Sequence, residues 1–65
     1  MTEREKEIVL ALARNDMNTS KTAKDLHFHR NNMTYHIGRI VEKYGLDPRK
    51  FYDLIQLIEV ARGGD

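Results

Sequence analysis

Apolar residues recur along this chain at helical spacing, in four blocks parted by short polar segments. In the first block Ile8, Val9, Leu12 and Ala13 form one stripe, and Thr2 with Glu5 three residues on has capping-box form, so a helix is predicted over about residues 3–14. From Asn15 to Ser20 the chain is rich in Asn, Asp, Thr and Ser, whose short side chains compete for local backbone groups, and a loop is expected. A second helix, about residues 20–26, would bury Ala23 and Leu26; two turns do not persist alone, so packing must hold it.

The clearest amphipathic pattern follows His27, Phe28 and His29: Met33, Ile37, Ile40, Val41 and Tyr44 mark one buried face of a helix over about residues 30–44. Gly45 suits a left-handed closure with Leu46 folded back, and Asp47 and Pro48 read as the N-cap and first-turn proline of a fourth helix, about residues 48–61. That helix carries Phe51, Leu54, Ile55, Leu57, Ile58 and Ala61, a wider apolar arc than one face of so small a bundle needs. Residues 62–65 read as a frayed tail. With no repeat, low-complexity tract or strand pattern, residues 1–65 are expected to form one all-α, four-helix domain without a sheet.

At 65 residues the chain is near the lower limit for independent folding, where about 60% of the surface is removed from water. Having no cysteine, it must draw its stability from helix packing, with help from a partner subunit where one is present, and a reducing cytoplasm suits it. The N-terminal residues lack signal-peptide form and no apolar run nears the roughly 18 residues of a membrane span, so a soluble, cytoplasmic protein without membrane contact is expected.

The net charge of +1 hides an asymmetry. Residues 20–50 hold seven Lys or Arg against three Asp or Glu, and all three histidines, while both flanks are net acidic. This points to a localised surface for a polyanion.

The informative stretch is residues 20–37: a short helix, a tight turn and a long helix, with Ala23 small enough for the two to cross closely and Leu26, Phe28, Met33 and Ile37 wedged between them. His27 stands where glycine is common in a helix-turn-helix, and a positive φ is expected there. With Met33, Ile37, Ile40 and Tyr44 inward, Asn31, Asn32, Tyr35, His36, Arg39 and Lys43 point outward, with Arg30 at the helix tip. This is groove-reading chemistry: arginine can donate two bonds to guanine, asparagine can pair with adenine, and tyrosine offers an aromatic edge and a hydroxyl. Thr19, Ser20, Lys21 and the amides opening the second helix would then lie near phosphates. A merely solvated face is the simpler alternative, but adjacent asparagines and a histidine stabilise such a helix poorly. Gly38, in mid-helix, implies close approach by another helix or by DNA.

His29-Arg30-Asn31, then Met33, Tyr35, Ile37, Arg39 and Ile40, and finally Gly45-Leu46-Asp47-Pro48, resemble the C-terminal DNA-binding domain of PucR-type transcriptional regulators, which include sugar-diacid regulators. The resemblance spans nearly the whole chain; more distantly, residues 18–44 are similar to the Fis-type helix-turn-helix. It implies a bacterial regulator domain in which His29, Arg30, Asn31, Tyr35 and Arg39 belong to the recognition surface. It also implies a C-terminal fragment of a longer chain with an upstream sensory region, Met1 then being an added start. Two positions depart from the family pattern. Asn32 stands where threonine is usual, altering base preference, and His36 where arginine is usual, weakening phosphate contact except in acid, where imidazole is charged.

Other chemistries find less support. His27, His29 and His36 lie close in sequence but lack a cysteine, an HExxH pattern or a carboxylate at ligand spacing, so no metal or cofactor is expected. No nucleophile has a recognisable partner, no phosphate loop is present, and there is hardly room for a ligand pocket, so the chain reads as a non-enzyme without a small-molecule ligand. The alternative is a dimerisation or protein-interaction module using the fourth helix, where Tyr52, Leu57 and Val60 are expected to be left over after core packing. The two readings are compatible, since such domains commonly bind double-stranded DNA as homodimers on paired half-sites, here or through the parent protein.

Overall fold

The computed structural model describes residues 1–63, and among them four helices and no strand: α1 (Glu3–Arg14), α2 (Thr19–Asp25), α3 (Arg30–Tyr44) and α4 (Phe51–Gly63). α1 and α3 have the bounds that the sequence predicts. α1 opens with its capping box: the Glu5 N–H donates to the Thr2 hydroxyl at 3.1 Å and the Thr2 N–H to Glu5 Oε1 at 2.9 Å. α2 starts at Thr19, a residue earlier than expected, because Asn18 is the cap, its Oδ1 accepting from the Lys21 N–H at 3.0 Å.

Two helices are closed by left-handed residues other than glycine. After α1 these are Asp16 (φ 53°) and Met17 (φ 65°), and the Met17 N–H donates to the Leu12 carbonyl at 2.8 Å. After α2 it is His27 (φ 58°), as expected; its N–H donates to the Lys24 carbonyl at 3.1 Å and the Phe28 N–H to the Ala23 carbonyl at 2.8 Å. In both, the bond reaching five residues back drops a hydrophobic side chain, Met17 or Phe28, onto the core. α3 ends at Gly45 (φ 68°), with Leu46 folded against the core.

The fourth helix departs from expectation. Asp47 Oδ1 does accept from the Arg49 N–H at 2.9 Å, as a cap would, but the turn closes with the Lys50 N–H on the Asp47 carbonyl at 2.9 Å. Pro48 is buried there, the Asp53 carboxylate takes the Asp47 N–H at 3.0 Å, and the helix begins only at Phe51. It runs on through Arg62 and Gly63, where the sequence predicts a frayed tail; Gly64 and Asp65 of that tail lie outside the described residues.

The core gathers Ile8, Val9 and Leu12 of α1, Ala23 of α2, Met33, Ile37 and Ile40 of α3, and Leu54 and Leu57 of α4. α1 packs most extensively against α4, and α2 contacts both α1 and α3. Ala11, not the expected Ala13, is buried on α1: both flank the Ile8–Leu12–Val9 stripe, Ala11 about 60° outside Ile8 and Ala13 about 40° outside Val9, so it is the packing of the other helices, on the Ile8 side, that decides between them. Leu57, expected to be left over on the surface, is fully buried. Buried side-chain polar atoms are all bonded among the described residues. Asn15 Nδ2 donates to the Ala11 carbonyl at 3.0 Å and to Asp25 Oδ2 at 2.9 Å, tying the end of α1 to that of α2, and the Thr22 hydroxyl donates to the Asn18 carbonyl at 2.8 Å.

Glu5, 8% exposed, is a second tie. Lys43 Nζ lies 3.3 and 3.4 Å from its carboxylate oxygens and the Tyr44 hydroxyl donates at 3.3 Å, joining α1 to the end of α3. Burial pushes the Glu5 carboxyl up, but the Thr2 N–H, the Lys43 ammonium and the Thr2 hydroxyl together hold it below its ordinary value. A carboxyl depressed by folding stabilises fully above its unfolded pKa and loses that contribution as pH falls through the folded one. Glu5→Gln should therefore cost about 1–2 kcal/mol at neutral pH, with the difference from wild type vanishing in acid. Thermal melts across pH test this, and a constant difference would mean that the charge is not what matters.

Gly38 is exposed in the middle of α3, and a Cβ built there would meet no atom within 4 Å, so no helix of this chain approaches it. Gly38→Ala should raise the unfolding free energy by about 0.5–1 kcal/mol. Denaturant titration would show this as a shifted midpoint at constant slope, and a destabilised variant would mean that the helix is constrained there.

Candidate nucleic-acid interface

The α2–α3 turn leaves α3 with one face on the core and the other open. Asn31, Asn32, Tyr35, Arg39 and Lys43 are exposed along it, as are His29 at its N-cap and Arg30 in its first turn. Glu42 shares this open side. Ser20 and Lys21 are exposed on the first turn of α2.

Within this set Tyr35 and Arg39 act as a unit. Arg39 Nη1 donates to the Tyr35 hydroxyl at 3.1 Å and the guanidinium carbon is 6.0 Å from the ring centre. That bond, more than the nearby Glu42 carboxylate, raises the Arg39 pKa further. His36 is half-buried, its ring 5.3 Å from that of Tyr35, edge to face, and 5.7 Å from that of Phe28. Phe28 in turn carries the Arg4 guanidinium 4.7 Å above its ring. Arg4, Phe28, His36, Tyr35 and Arg39 thus form a continuous row of cations and aromatic rings from α1 to the open face of α3, each member restricting the next.

Concave surfaces flank α3. One, of about 240 Å³, lies against α1 beside Arg4, His36 and Arg39. The larger, of about 560 Å³, lies between α2, α3 and the turn after α3; Lys24, Arg30 and Arg49 stand at its rim over a floor that includes Ala23, Met33 and Ile37. Arg49 is braced by Asp47, whose carboxyl it holds below the usual range.

The structure thus gathers Arg30, Asn31, Asn32, Tyr35 and Arg39 on the first two and a half turns of α3. Lys43 stands apart from them, further along the helix, with its ammonium engaged by Glu5. Arg4, Lys24 and Arg49 border the same helix but were not singled out from the sequence. Lys24 carried the signal of lying inside the basic segment, whereas the placement of Arg4 depends on a tertiary contact that no local pattern reports. Among the described residues no three His, Asp or Glu gather as metal ligands, and no helix is long and apolar enough to cross a membrane.

Comparison with known proteins agrees with this geometry. Residues 6–58 match the family described as the PucR C-terminal helix-turn-helix domain, a span that takes in most of α1, the α2–α3 unit and most of α4. An uncharacterized protein of Bacillus subtilis (strain 168), YxkF, is 40% identical over 37 residues, which are 57% of this chain and 12% of that protein's length. No solved structure matches. With its helix-turn-helix formed by α2 and α3 and its match over residues 6–58, the chain belongs to the PucR C-terminal helix-turn-helix family, whose members are DNA-binding regulator domains.

Proposed function

We propose that this chain reads double-stranded DNA in a sequence-specific manner as part of a bacterial transcriptional regulator, with α3 in the major groove. The observation that carries the reading is the exposed strip of Asn31, Asn32, Tyr35 and Arg39 at the N-terminal half of α3, held in place by the core beneath it. Arg30, Asn31 and Asn32 are the candidates for base edges, because the N-terminal residues of the second helix reach deepest. Tyr35 and Arg39, linked to each other, would contact a base edge or the groove wall together, with His36 supporting Tyr35 from beside. Ser20, Lys21 and His29 would meet phosphates where the strand passes the turn, and Lys43, engaged by Glu5, would act at the margin. The reading involves no catalysis, cofactor, small-molecule ligand or membrane, and it places the domain in the cytoplasm with its DNA.

Fluorescence anisotropy across a salt series, with random-sequence and selected duplexes, tests this directly. A steep salt slope with preference for a selected sequence is expected; no binding at low salt would end the reading. Arg39→Ala should weaken binding to all duplexes alike and reduce the salt slope by about one if Arg39 meets a phosphate. Asn31→Ala should instead relax preference at one base pair, by about 1–3 kcal/mol. Unchanged affinity and selectivity in both variants would remove α3 as the docking face.

One observation favours a second role for α4, that of a weak homodimer contact. Phe51, Tyr52 and Ile55 are 57%, 77% and 42% exposed, adjacent on one side of the helix, with the two aromatic rings 5.3 Å apart. The patch differs from the expected one: Leu57 is buried and Val60 half-buried, while Phe51 and Ile55 join Tyr52 outside. Sedimentation at rising concentration should show self-association that Tyr52→Glu abolishes. A monomer at every concentration would remove this role from α4.

A further inference from the structure

The larger concavity draws cations from three separate elements: Lys24 from α2, Arg30 from α3 and Arg49 from the turn after α3. The hydroxyl-bearing Thr19, Ser20 and Thr34 also line it, and among the described residues no carboxylate does. Arg49 is fixed in orientation. Its Nε and Nη2 donate to the two Asp47 oxygens, each at 2.9 Å, and its backbone N–H donates to Asp47 Oδ1, also at 2.9 Å. This fork uses one edge of the guanidinium plane. The end edge, Nη1 with the second proton of Nη2, is left to offer two parallel donors, the geometry that suits two oxygens of a phosphate.

We propose that the phosphodiester backbone of one DNA strand lies in this concavity, gripped by Lys24 and the Asp47-braced Arg49, with Arg30 at its edge turned to the bases. The inference rests on α3 being the groove-reading helix, and it adds an anchor beyond the helix-turn-helix. A helix seated in the major groove has a phosphate wall on each side, and the concavity runs along the flank of α3 that begins at Arg30 and borders Ser20. Its apolar floor of Ala23, Met33 and Ile37 offers no competing hydrogen bonds and suits the carbon face of deoxyribose. Asp47 adds little repulsion, because its charge is paired with Arg49 and its carboxylate faces that side chain rather than the opening. Bracing also reduces the side-chain freedom that Arg49 would otherwise lose on binding.

The test is anisotropy with a fluorescein-labelled duplex pool of random sequence over a range of KCl concentrations, because a phosphate contact is indifferent to sequence. Arg49→Ala and Lys24→Ala should each flatten the slope of log K against log[KCl] by about 0.9 and weaken binding at low salt by about tenfold. Arg49→Ala also frees Asp47, so its melting temperature is measured alongside. Lys24 is exposed on α2 and its substitution should leave the melt unchanged, which keeps the test readable if Arg49→Ala folds poorly. Wild-type binding with a steep slope that both variants retain would overturn the proposal while leaving α3 as the reader. Absence of binding by the wild type would instead overturn the DNA-binding reading, and this inference with it.

Discussion

The open face of α3 depends on two backbone hydrogen bonds, those that the amides of His27 and Phe28 make to the end of α2. They hold the chain in a left-handed step that sets α3 at an angle to α2, and Ala23, buried at the crossing, lets the two helices come close. For a residue with a Cβ that step costs about 1–2 kcal/mol. The step is offset by where it delivers Phe28: against the core on one side, and between Arg4 and His36 on the other. The turn that orients α3 is therefore also the point from which the row of rings and cations stiffens it.

Charge is distributed with the same economy. Of the three carboxylates in the basic segment, Asp25 is bonded by Asn15 and Asp47 by Arg49, and only Glu42 stands on the open side of α3. Glu5, from the acidic N-terminal segment, engages Lys43 at the far end of α3 rather than facing the helix tip. Arg30, Lys24, Lys21 and Arg39 are left to dominate the field around the first half of the helix, so the modest net charge of the chain understates the local potential.

What could be read from the sequence was what local chemistry decides. The Thr2–Glu5 box, the Gly45 closure and the 3.6-residue rhythm of Met33, Ile37 and Ile40 fixed α1 and α3, and the break at His27 marked the turn. Asp47 and Pro48 misled because their bonds are those of a helix start; that Pro48 would be buried and the turn end at Lys50 is decided by the core. The wide arc of α4 signalled exposed apolar surface, but which residues fill it depends on how α1 lies against it, so Leu57 turns inward while Phe51 and Ile55 stand outside. At the interface, the open strip of α3 follows from helical periodicity alone. The stacking of Arg4 on Phe28 and the capture of Lys43 by a carboxylate 38 positions away are tertiary facts without a local signature, whereas the Asp47–Arg49 pair is local and only its place beside α3 is set by the fold.

The way α1 and α2 end has a kinetic consequence. Both closures are made by bonds reaching back no more than five residues, and each brings its own hydrophobic plug, Met17 or Phe28, to the place where the next helix will dock. Each closure thus spans only a short loop, and little loop entropy has to be lost in forming it, although α2 itself persists only once packed. Chains dominated by such local closures fold on the microsecond to millisecond scale. The long-range contacts, α4 on α1 and Glu5 on Lys43 and Tyr44, then hold these short closures in place.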